Sequence, residues 1–257
     1  MLLSYSFSNF QSFRELTQVS TTVSEKVAPS DWLTTTSTGE RINKVIAVMG
    51  ANGSGKTTLL KPLVFLDWFI SHSFSQAPEA AIPFTPHFAT TNEATEFSAT
   101  AIYKGQIWKY VLRCIPERVI HEALYVKRER FKYVFVRDWD DSTQTYRIKQ
   151  QDFGFAPVEA RKVRANASLI STAAQYGIPL AKDMASSGLR SNITALGRQP
   201  LSQDLVLNAA AHFSQLSEQR TIMARLLHDW DLGLSNVELE EISVAQPDGS
   251  NNKIWLP

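Results

Sequence analysis

The sequence has very little cysteine, almost no net charge and no long apolar run. Cys114 is the single cysteine, which excludes an internal disulfide and a metal site made of several cysteines, and suits a reducing cytosol. The formal net charge of +1 gives no overall electrostatic preference for nucleic acid or membrane surfaces. Residues 1–6 lack the charged and apolar regions of a signal peptide, and no apolar stretch is long enough to cross a bilayer. We therefore expect a cytoplasmic protein with no membrane partner.

The composition that remains is that of a globular protein. Of the 257 residues, 44% are hydrophobic and 20% are charged, so core-building residues are plentiful. This length allows one large domain, or a core with an insertion. Internal repeats and low-complexity tracts, which would indicate another architecture, are not evident in the sequence.

A glycine-rich stretch early in the chain joins an apolar run to a helical pattern. Gly50–Thr57 has the spacing G-x-x-x-x-G-K-[ST] of a phosphate-binding P-loop. Its glycines allow successive backbone N–H groups to converge on an anion, and the following helix directs its positive end to the same point. The flanks fit the motif, because 45–49 is predicted to be a buried strand and 57–69 a helix. The alternative is an ordinary glycine turn between a strand and a helix.

The motif assigns a role to each candidate site residue. Lys56 is placed to neutralise the β- and γ-phosphates of ATP and is the catalytic candidate, and the Thr57 hydroxyl is placed to hold Mg²⁺. Thr58 is a candidate contact for the α-phosphate. The backbone N–H groups expected to surround the phosphates belong to Gly50, Asn52, Gly53, Ser54 and Gly55.

The remaining elements indicate an α/β fold in which an antiparallel sheet precedes helices. Alternating apolar and polar residues predict a hairpin of strands at 3–8 and 16–23, followed by a loop at 28–41. Further strands are predicted at 96–103, 107–114, 133–137 and 144–149, with a strand or a short helix at 119–130. Helical patterns cover 158–175, 180–185 and 201–230, and strands return at 237–245 and 253–256, with a turn at 247–249 between them.

Several stretches resemble a known family of ATPases. The turn within Phe7–Phe13, the second strand and then Gly50–Thr57 resemble the start of an ABC-type ATPase of the RecF/SMC/Rad50 kind. More of the chain is similar to the AAA15-type, RloA-like ATPases of bacterial antiphage defence. The stretches that carry this similarity are Pro83-Phe84, Glu93–Phe97, Gly105, Trp108–Tyr110, Arg118–Tyr125 and Lys127–Arg130.

The resemblance implies a P-loop NTPase fold of the ABC type, represented by its first half. The N-terminal part of the ATPase core, with its antiparallel-rich β subdomain, would span 1–157, and a helical insertion would span 158–232. Residues 233–257 would return to the core. The resemblance also implies that the signature motif and the Walker B strand lie in sequence beyond these residues.

In such ATPases the residues after the first strand lie near the nucleotide base and ribose. Here these are Asn9, Gln11, Ser12 and Phe13, for which a plain hairpin turn is the alternative. A polar residue after the P-loop helix senses the γ-phosphate in the family. His87, with Thr85 and Thr90 nearby, occupies the comparable place, although a solvated loop histidine is the more ordinary interpretation.

The family's motifs for hydrolysis have no convincing counterpart in these 257 residues. Hydrolysis needs an apolar strand that ends in Asp-Glu, in which the Asp supports Mg²⁺ and the Glu polarises the attacking water. The nearest candidate is Asp138, but Arg137 interrupts the apolar run before it. The stretch 186–188 resembles a signature motif superficially, and we interpret it as a turn that ends a helix.

The resemblance also implies partners. ATPase heads of this kind pair on ATP, so we expect a homo-oligomer, and the effector in such defence systems is often a Toprim-type nuclease, with nucleic acid or a phage protein as the trigger. The expected function is an ATP-binding subunit whose assembly controls such an effector. A RecF/Rad50-like DNA-repair ATPase and a nucleotide-gated scaffold that does not hydrolyse ATP are the alternatives.

Three clusters of charge leave two interpretations open. The basic stretches 127–133 and 161–164 could bind phosphates of nucleic acid or an acidic partner, or could be solvated faces. The acidic turn with Asp138, Asp140 and Asp141 could bind a cation, but a plain loop is the simpler interpretation.

Overall fold

The chain divides into two compact units, 1–198 and 199–257. The computed structural model describes residues 1–186, 189, 191–194, 197, 203–230, 238–245 and 251–256, with the backbone alone for 204, 244–245 and 251–256. Among these residues no helix is long and apolar enough to cross a membrane.

A seven-stranded antiparallel sheet forms the centre of the first unit. Its strand order is β2-β1-β5-β6-β7-β8-β9. The strands are β1 (Leu2–Ser8), β2 (Thr17–Ser20), β5 (Thr95–Tyr103), β6 (Gln106–Ile115), β7 (Arg118–Lys127), β8 (Phe131–Asp140) and β9 (Thr145–Gln150). The predicted hairpin at the N-terminus and the later predicted strands are therefore confirmed, and the ambiguous stretch 119–130 is mainly a strand.

One face of this sheet is buried against helices. The helices of the first unit are α1 (Lys56–His72), α2 (Pro157–Ala160), α3 (Leu169–Gln175) and α4 (Pro179–Ser186). Phe65 of α1 packs on Phe97 of β5, with 4.7 Å between the ring centroids, and Phe69 stacks on Phe65. The hydroxyl of Tyr5 in β1 donates to the Leu59 carbonyl at 2.8 Å. These contacts fix the P-loop helix to the sheet.

The opposite face of the sheet is mostly polar, and among the described residues a hairpin covers it at one end. There the short hairpin of β3 (Leu33–Thr35) and β4 (Arg41–Asn43) places Ile42 in a small apolar cluster with Leu3 and Ile102. The prediction of a loop over the whole of 28–41 was thus wrong at 33–35, which forms β3, and at Arg41, where β4 begins. Threonines, two of which lie in β3, suit short strands as well as loops.

Residues 45–49 do not form the buried strand that their apolar run predicted. They have no regular secondary structure, and Val45, Ile46 and Met49 are 60%, 44% and 88% exposed. A strand is stabilised by its neighbours in a sheet, and among the described residues no strand pairs with this segment. The prediction failed because an apolar run shows that a segment is able to form a strand, but the strand forms only if a neighbouring strand pairs with it.

A buried ion pair joins β7, β8 and the segment before α3. The Arg137 and Glu122 side chains are fully buried, and Arg137 Nη1 lies 3.4 Å from Glu122 Oε2. Arg137 also donates to the carbonyls of Ala167 at 2.7 Å and Arg164 at 2.8 Å. Seen in the sequence alone, Arg137 is only an interruption in an apolar strand. It is instead the charged centre of the packing on this side of the sheet.

Glu122 satisfies its remaining oxygen lone pairs at the start of α3. It accepts hydrogen bonds from the hydroxyls of Tyr110 at 2.9 Å and Ser168 at 2.7 Å, and from the Leu169 N–H at 3.0 Å. Burial and the neighbouring Glu122 carboxylate raise the pKa of Tyr110, so this hydroxyl keeps its proton and remains a donor. Ser168 is also the N-cap of α3 and accepts from the Ile170 N–H.

The described part of the second unit contains two helices and a strand pair. They are α5 (Gln203–Gln215), α6 (Ser217–Asp229), β10 (Glu240–Ala245) and β11 (Asn251–Leu256), the two strands being antiparallel. The helix predicted over 201–230 is interrupted at Leu216, and its first two residues lie outside the described residues. The predicted turn at 247–249 lies outside them as well.

The predicted insertion, 158–232, coincides with neither unit. Helices α3 and α4 pack on α1 within the first unit, whereas α5 and α6 belong to the second. The assignment of these segments to an ATPase core and its insertion stays a prediction. The signature-like stretch begins at Ser186, the last residue of α4, and its other two residues, 187 and 188, are not among those described.

Candidate nucleotide-binding site

The glycine-rich loop 50–57 has the backbone conformation that its glycines permit. Gly53 and Gly55 adopt left-handed conformations, with φ of 79° and 86°. At Gly50 the loop is tight for a different reason: a Cβ would lie 2.7 Å from Ser54 Oγ, so the serine hydroxyl would have to rotate away. The loop folds back through a hydrogen bond from the Ser54 N–H to the Ala51 carbonyl at 3.2 Å. The spacing of glycines in the motif thus corresponds to a tight loop in the structure.

The helix that follows the loop begins with backbone N–H groups that have no acceptor within the helix. Helix α1 begins at Lys56, and its N-cap Gly55 supplies no side-chain hydrogen bond. The first helical bond runs from the Leu59 N–H to the Gly55 carbonyl at 2.8 Å, so the earlier N–H groups of this turn have no helical acceptor. The first turn also contains no acidic side chain. The partial positive charge at this end of α1 is therefore available to an anion.

Lys56 lies across the loop. Its ammonium group donates to the carbonyls of Gly50 at 2.8 Å and Ala51 at 2.6 Å. Both oxygens belong to the loop, so the positive charge lies over the same residues whose N–H groups would surround a phosphate. Thr57 is exposed in the first turn of α1, next to Lys56. The structure thus brings together the loop, the ammonium and the hydroxyl that the motif predicted.

The turn after β1 lies directly against this loop. Ser12 Oγ and the ring of Phe13 are both 3.2 Å from the point where a Cβ of Gly55 would be. Gln11 Oε1 accepts hydrogen bonds from Thr58 Oγ1 at 3.4 Å and Lys61 Nζ at 3.2 Å. Ser12 and Gln11 therefore lie beside the first turns of α1, where contact with a nucleotide is possible, and this contact stays a prediction.

Asn9 has a structural role at the end of β1, and the nucleotide contact that the resemblance implied stays a prediction. It is 4% exposed and has a φ of 53°. Its side-chain N–H₂ donates to the carbonyls of Thr90 at 3.1 Å and Glu93 at 2.8 Å, and its Oδ1 accepts from the Thr90 hydroxyl at 2.6 Å. Asn9 thus fastens the loop 85–94 to the end of β1, because a short amide can satisfy several backbone groups in a left-handed turn.

His87 is buried within this same loop. Its N–H donates to Asn9 Oδ1 at 3.0 Å, and its Nδ1 accepts from the Ala89 N–H at 3.2 Å, which places the ring proton on Nε2. The side chain is 8% exposed, so the interpretation as a solvated loop histidine was wrong. A role in sensing the γ-phosphate stays a prediction.

Asp138 is poorly placed to hold a Mg²⁺ ion at the loop. Its carboxylate lies 2.6 Å from His121 Nδ1, and the register of β7 and β8 places both residues on the polar face of the sheet. The helix α1 packs on the other face, so the sheet separates Asp138 from it. The motif suggested Asp138 because an acidic residue follows an apolar run, but strand alternation decides which face it occupies.

The acidic turn and the second basic cluster make local contacts, whereas the first basic cluster is exposed. Asp140 pairs with Arg147 and accepts from Ser142, which together hold the pKa of the Asp140 carboxyl well below its usual range. Among the described residues there is no group of three metal-ligating side chains. Arg164, in the second basic cluster, donates to the Gln76 carbonyl at 2.8 Å. The first cluster, 127–133, forms the tip of the β7–β8 hairpin and is mostly exposed.

A P-loop that leads into a helix packed on a sheet defines a P-loop NTPase. One protein family, described as "AAA domain, putative AbiEii toxin, Type IV TA system", has a sequence model that matches residues 45–207. This match covers more than half of the chain, and the chain belongs to that family. The protein is therefore an ATPase of the AAA/ABC type with a nucleotide-binding domain. No curated protein and no solved structure matches it.

Replacement of Gly55 by alanine is expected to weaken nucleotide binding by distorting the loop. The new Cβ would meet Ser12 and Phe13 at 3.2 Å, and the left-handed backbone would add about 1–2 kcal/mol of strain. Gly105→Ala is a matched control, because Gly105 has a φ of 73° but nothing within 4 Å of the new Cβ. The affinity for ATP, measured by calorimetry, should be lower in Gly55→Ala and unchanged in Gly105→Ala. Equal binding by both variants would contradict this.

Proposed function

We propose that the loop 50–57 binds the phosphates of ATP together with Mg²⁺. The observation that carries this proposal is the meeting of three features at one point: left-handed glycines, an uncapped helix N-terminus and the Lys56 ammonium. On binding, Lys56 exchanges the carbonyls of Gly50 and Ala51 for phosphate oxygens. The residues fit a Mg²⁺ ion, since the exposed Thr57 hydroxyl follows the lysine directly. A bound Mg²⁺ supplies charge neutralisation between the β- and γ-phosphates.

We propose further that ATP hydrolysis requires carboxylates supplied from outside these 257 residues. Attack by water on the γ-phosphate needs a base or a water-positioning group, and neither loop 50–57 nor the first turn of α1 contains an acidic side chain. The exposed apolar segment 45–49 supports this proposal, because it has the composition of an inner strand. An apolar strand that ends in Asp-Glu, paired beside it, would carry its carboxylates towards the loop.

The proposed cellular role is control of an effector in antiphage defence. In this proposal ATP draws two heads together into a homo-oligomer, and the assembly holds or releases an effector such as a Toprim-type nuclease. Nucleic acid or a phage protein would be the trigger. The resemblance to AAA15-type, RloA-like ATPases supports this role, and the family description, which names a toxin of a toxin–antitoxin system, also fits control of a harmful effector.

Two alternatives each rest on one observation. The exposed basic hairpin tip 127–133 favours a RecF/Rad50-like ATPase that binds DNA, because such a tip can contact phosphates. The absence of an acidic side chain from loop 50–57 and from the first turn of α1 favours a scaffold that binds ATP without turnover. Phosphate release by the full-length protein, with and without duplex DNA at low salt, separates the three functions. Stimulation by DNA supports the repair function, and ATP binding without release supports the scaffold.

Thr57→Ala tests whether the site binds ATP as its magnesium complex. We expect the variant to bind ATP equally well with and without Mg²⁺, whereas the wild-type protein should bind more tightly when Mg²⁺ is present. Thr58→Ala is the matched control, because Thr58 carries the same hydroxyl one residue later and should keep the Mg²⁺ dependence. Titration of a fluorescent ATP analogue with and without Mg²⁺ measures this. A Mg²⁺ dependence that survives in Thr57→Ala would overturn the assignment of this residue.

A further inference from the structure

Helix α6 carries an apolar stripe that is exposed along its length. Ile222, Leu226 and Trp230, which follows the last residue of the helix, are 54%, 45% and 66% exposed. They are spaced by four residues, so they lie on one face of the helix. Isolated exposed apolar side chains are common on protein surfaces, but an aligned row of three that includes a tryptophan is typical of an interface.

The order of these residues is suited to a second copy of the same helix. Leu226 lies midway between Ile222 and Trp230. In an antiparallel pair with a two-fold axis at Leu226, each Ile222 meets the other copy's Trp230, and the two Leu226 side chains meet at the axis. A two-fold contact of this kind requires a self-complementary surface, in which residue i meets residue j and j meets i. The stripe has this property because the two-fold axis places the smaller end of one copy, Ile222, against the larger end of the other copy, Trp230.

The charges beside the stripe are arranged in the same reciprocal way. Arg225 and Asp229 precede Leu226 and Trp230 by one residue each, so both lie along the same edge of the stripe. Within one helix Arg225 Nε lies 3.8 Å from Asp229 Oδ2, and both side chains are largely exposed. In the antiparallel pair, Arg225 of each copy lies between Arg225 and Asp229 of the other, so the edge gains two Arg–Asp contacts for one Arg–Arg contact. An edge with one charge of each sign suits another copy of itself better than a partner of a single charge sign.

We propose that α6 is a self-association surface, which pairs two copies of this chain in antiparallel orientation around Leu226. This contact does not depend on nucleotide, and it goes beyond the proposed ATP-driven pairing of heads. Three side chains per copy form a small interface compared with the roughly 1,200–2,000 Å² of stable complexes. We therefore expect a weak dimer that forms as protein concentration rises.

Self-association of the full-length protein without nucleotide tests the stripe. Sedimentation velocity over a range of concentrations should show a monomer–dimer equilibrium, and Leu226→Glu should weaken it at least tenfold by burying two carboxylates at the axis. Leu16→Glu is the matched control, because Leu16 is also an exposed leucine and should leave the equilibrium unchanged. The Lys56→Ala variant should dimerise normally, which separates this contact from the proposed function. A monomer at all concentrations, or equal effects of both glutamate substitutions, would overturn the proposal.

A mixing experiment tests the antiparallel charge pairing. Arg225→Asp gives a helix edge with two acidic residues, and Asp229→Arg gives an edge with two basic residues. Each variant alone should associate more weakly than the wild-type protein, but an equimolar mixture should form a heterodimer. The mixture restores charge pairs only between copies, because the pair within each helix is lost in both variants. If circular dichroism shows both variants helical and the mixture associates no better than either alone, the proposed pairing is wrong.

Discussion

Lys56→Ala should reduce the affinity for ATP by roughly 10- to 100-fold, because hydrogen bonds to charged groups are worth about 1.5–3 kcal/mol. Among the described residues, the hydrogen-bond acceptors of the Lys56 ammonium are the main-chain oxygens of Gly50 and Ala51. Both carbonyls belong to exposed residues, so they can bind water when the Lys56 side chain is removed. The substitution should therefore remove charge from the site without removing any contact of the core.

Lys44→Ala provides the matched control for this substitution. Lys44, an exposed lysine, also donates to a backbone carbonyl, that of Asp31 at 2.7 Å, but it lies outside the loop. Calorimetric titration with ATP should show the loss in Lys56→Ala alone, and the melting temperatures of both variants without nucleotide should match that of the wild-type protein. Unchanged ATP affinity in Lys56→Ala would refute the proposed site, and a collapsed melting temperature would show that Lys56 supports the fold instead.

Arg137→Met should destabilise the first unit by about 3–5 kcal/mol, the cost of breaking a buried ion pair by removing one partner. The substitution leaves the Glu122 carboxylate buried without its counter-ion. It also removes the donors to the carbonyls of Ala167 and Arg164, which lie in the segment before α3. Urea denaturation should therefore show a large loss of stability, accompanied by loosening of α3.

Two further variants show whether burial of the charge is the cause. Arg113→Met is the matched control, because Arg113 pairs with Glu96 on the same sheet at 3.3 Å, but both side chains are more than half exposed. It should cost less than about 1 kcal/mol. Adding Glu122→Gln to Arg137→Met should recover part of the loss, since the unpaired charge disappears. Equal destabilisation by the two arginine substitutions would contradict the importance of burial.

The phosphate-binding loop and most of the sheet could be predicted from sequence because their signals are local. The spacing of Gly50–Thr57 is set by a few contiguous residues, and the structure shows the tight turn and helix start that this spacing predicts. The alternation within β1 also predicts its buried face, on which Tyr5 and Phe7 lie. In each case the residues that determine the structure are neighbours in the chain.

The features that sequence could not provide depend on contacts between distant segments. In the sequence, Arg137 is a charged residue that interrupts an apolar strand. Its role in packing depends on Glu122 and on the carbonyls before α3, which surround it in the structure. Asn9 was assigned to the nucleotide by resemblance, but its amide binds a loop about eighty residues later in the chain. A buried polar residue must have hydrogen-bond partners. A single sequence does not show which distant residues supply them.

The exposed segment 45–49 also affects how the chain behaves in solution. It contains five apolar residues, no charge and no proline, and its backbone is free of any described strand. Segments of this composition add readily to one another as β-sheet when they are left without a partner. This exposed segment therefore makes the chain prone to aggregation, and pairing with a strand would protect it.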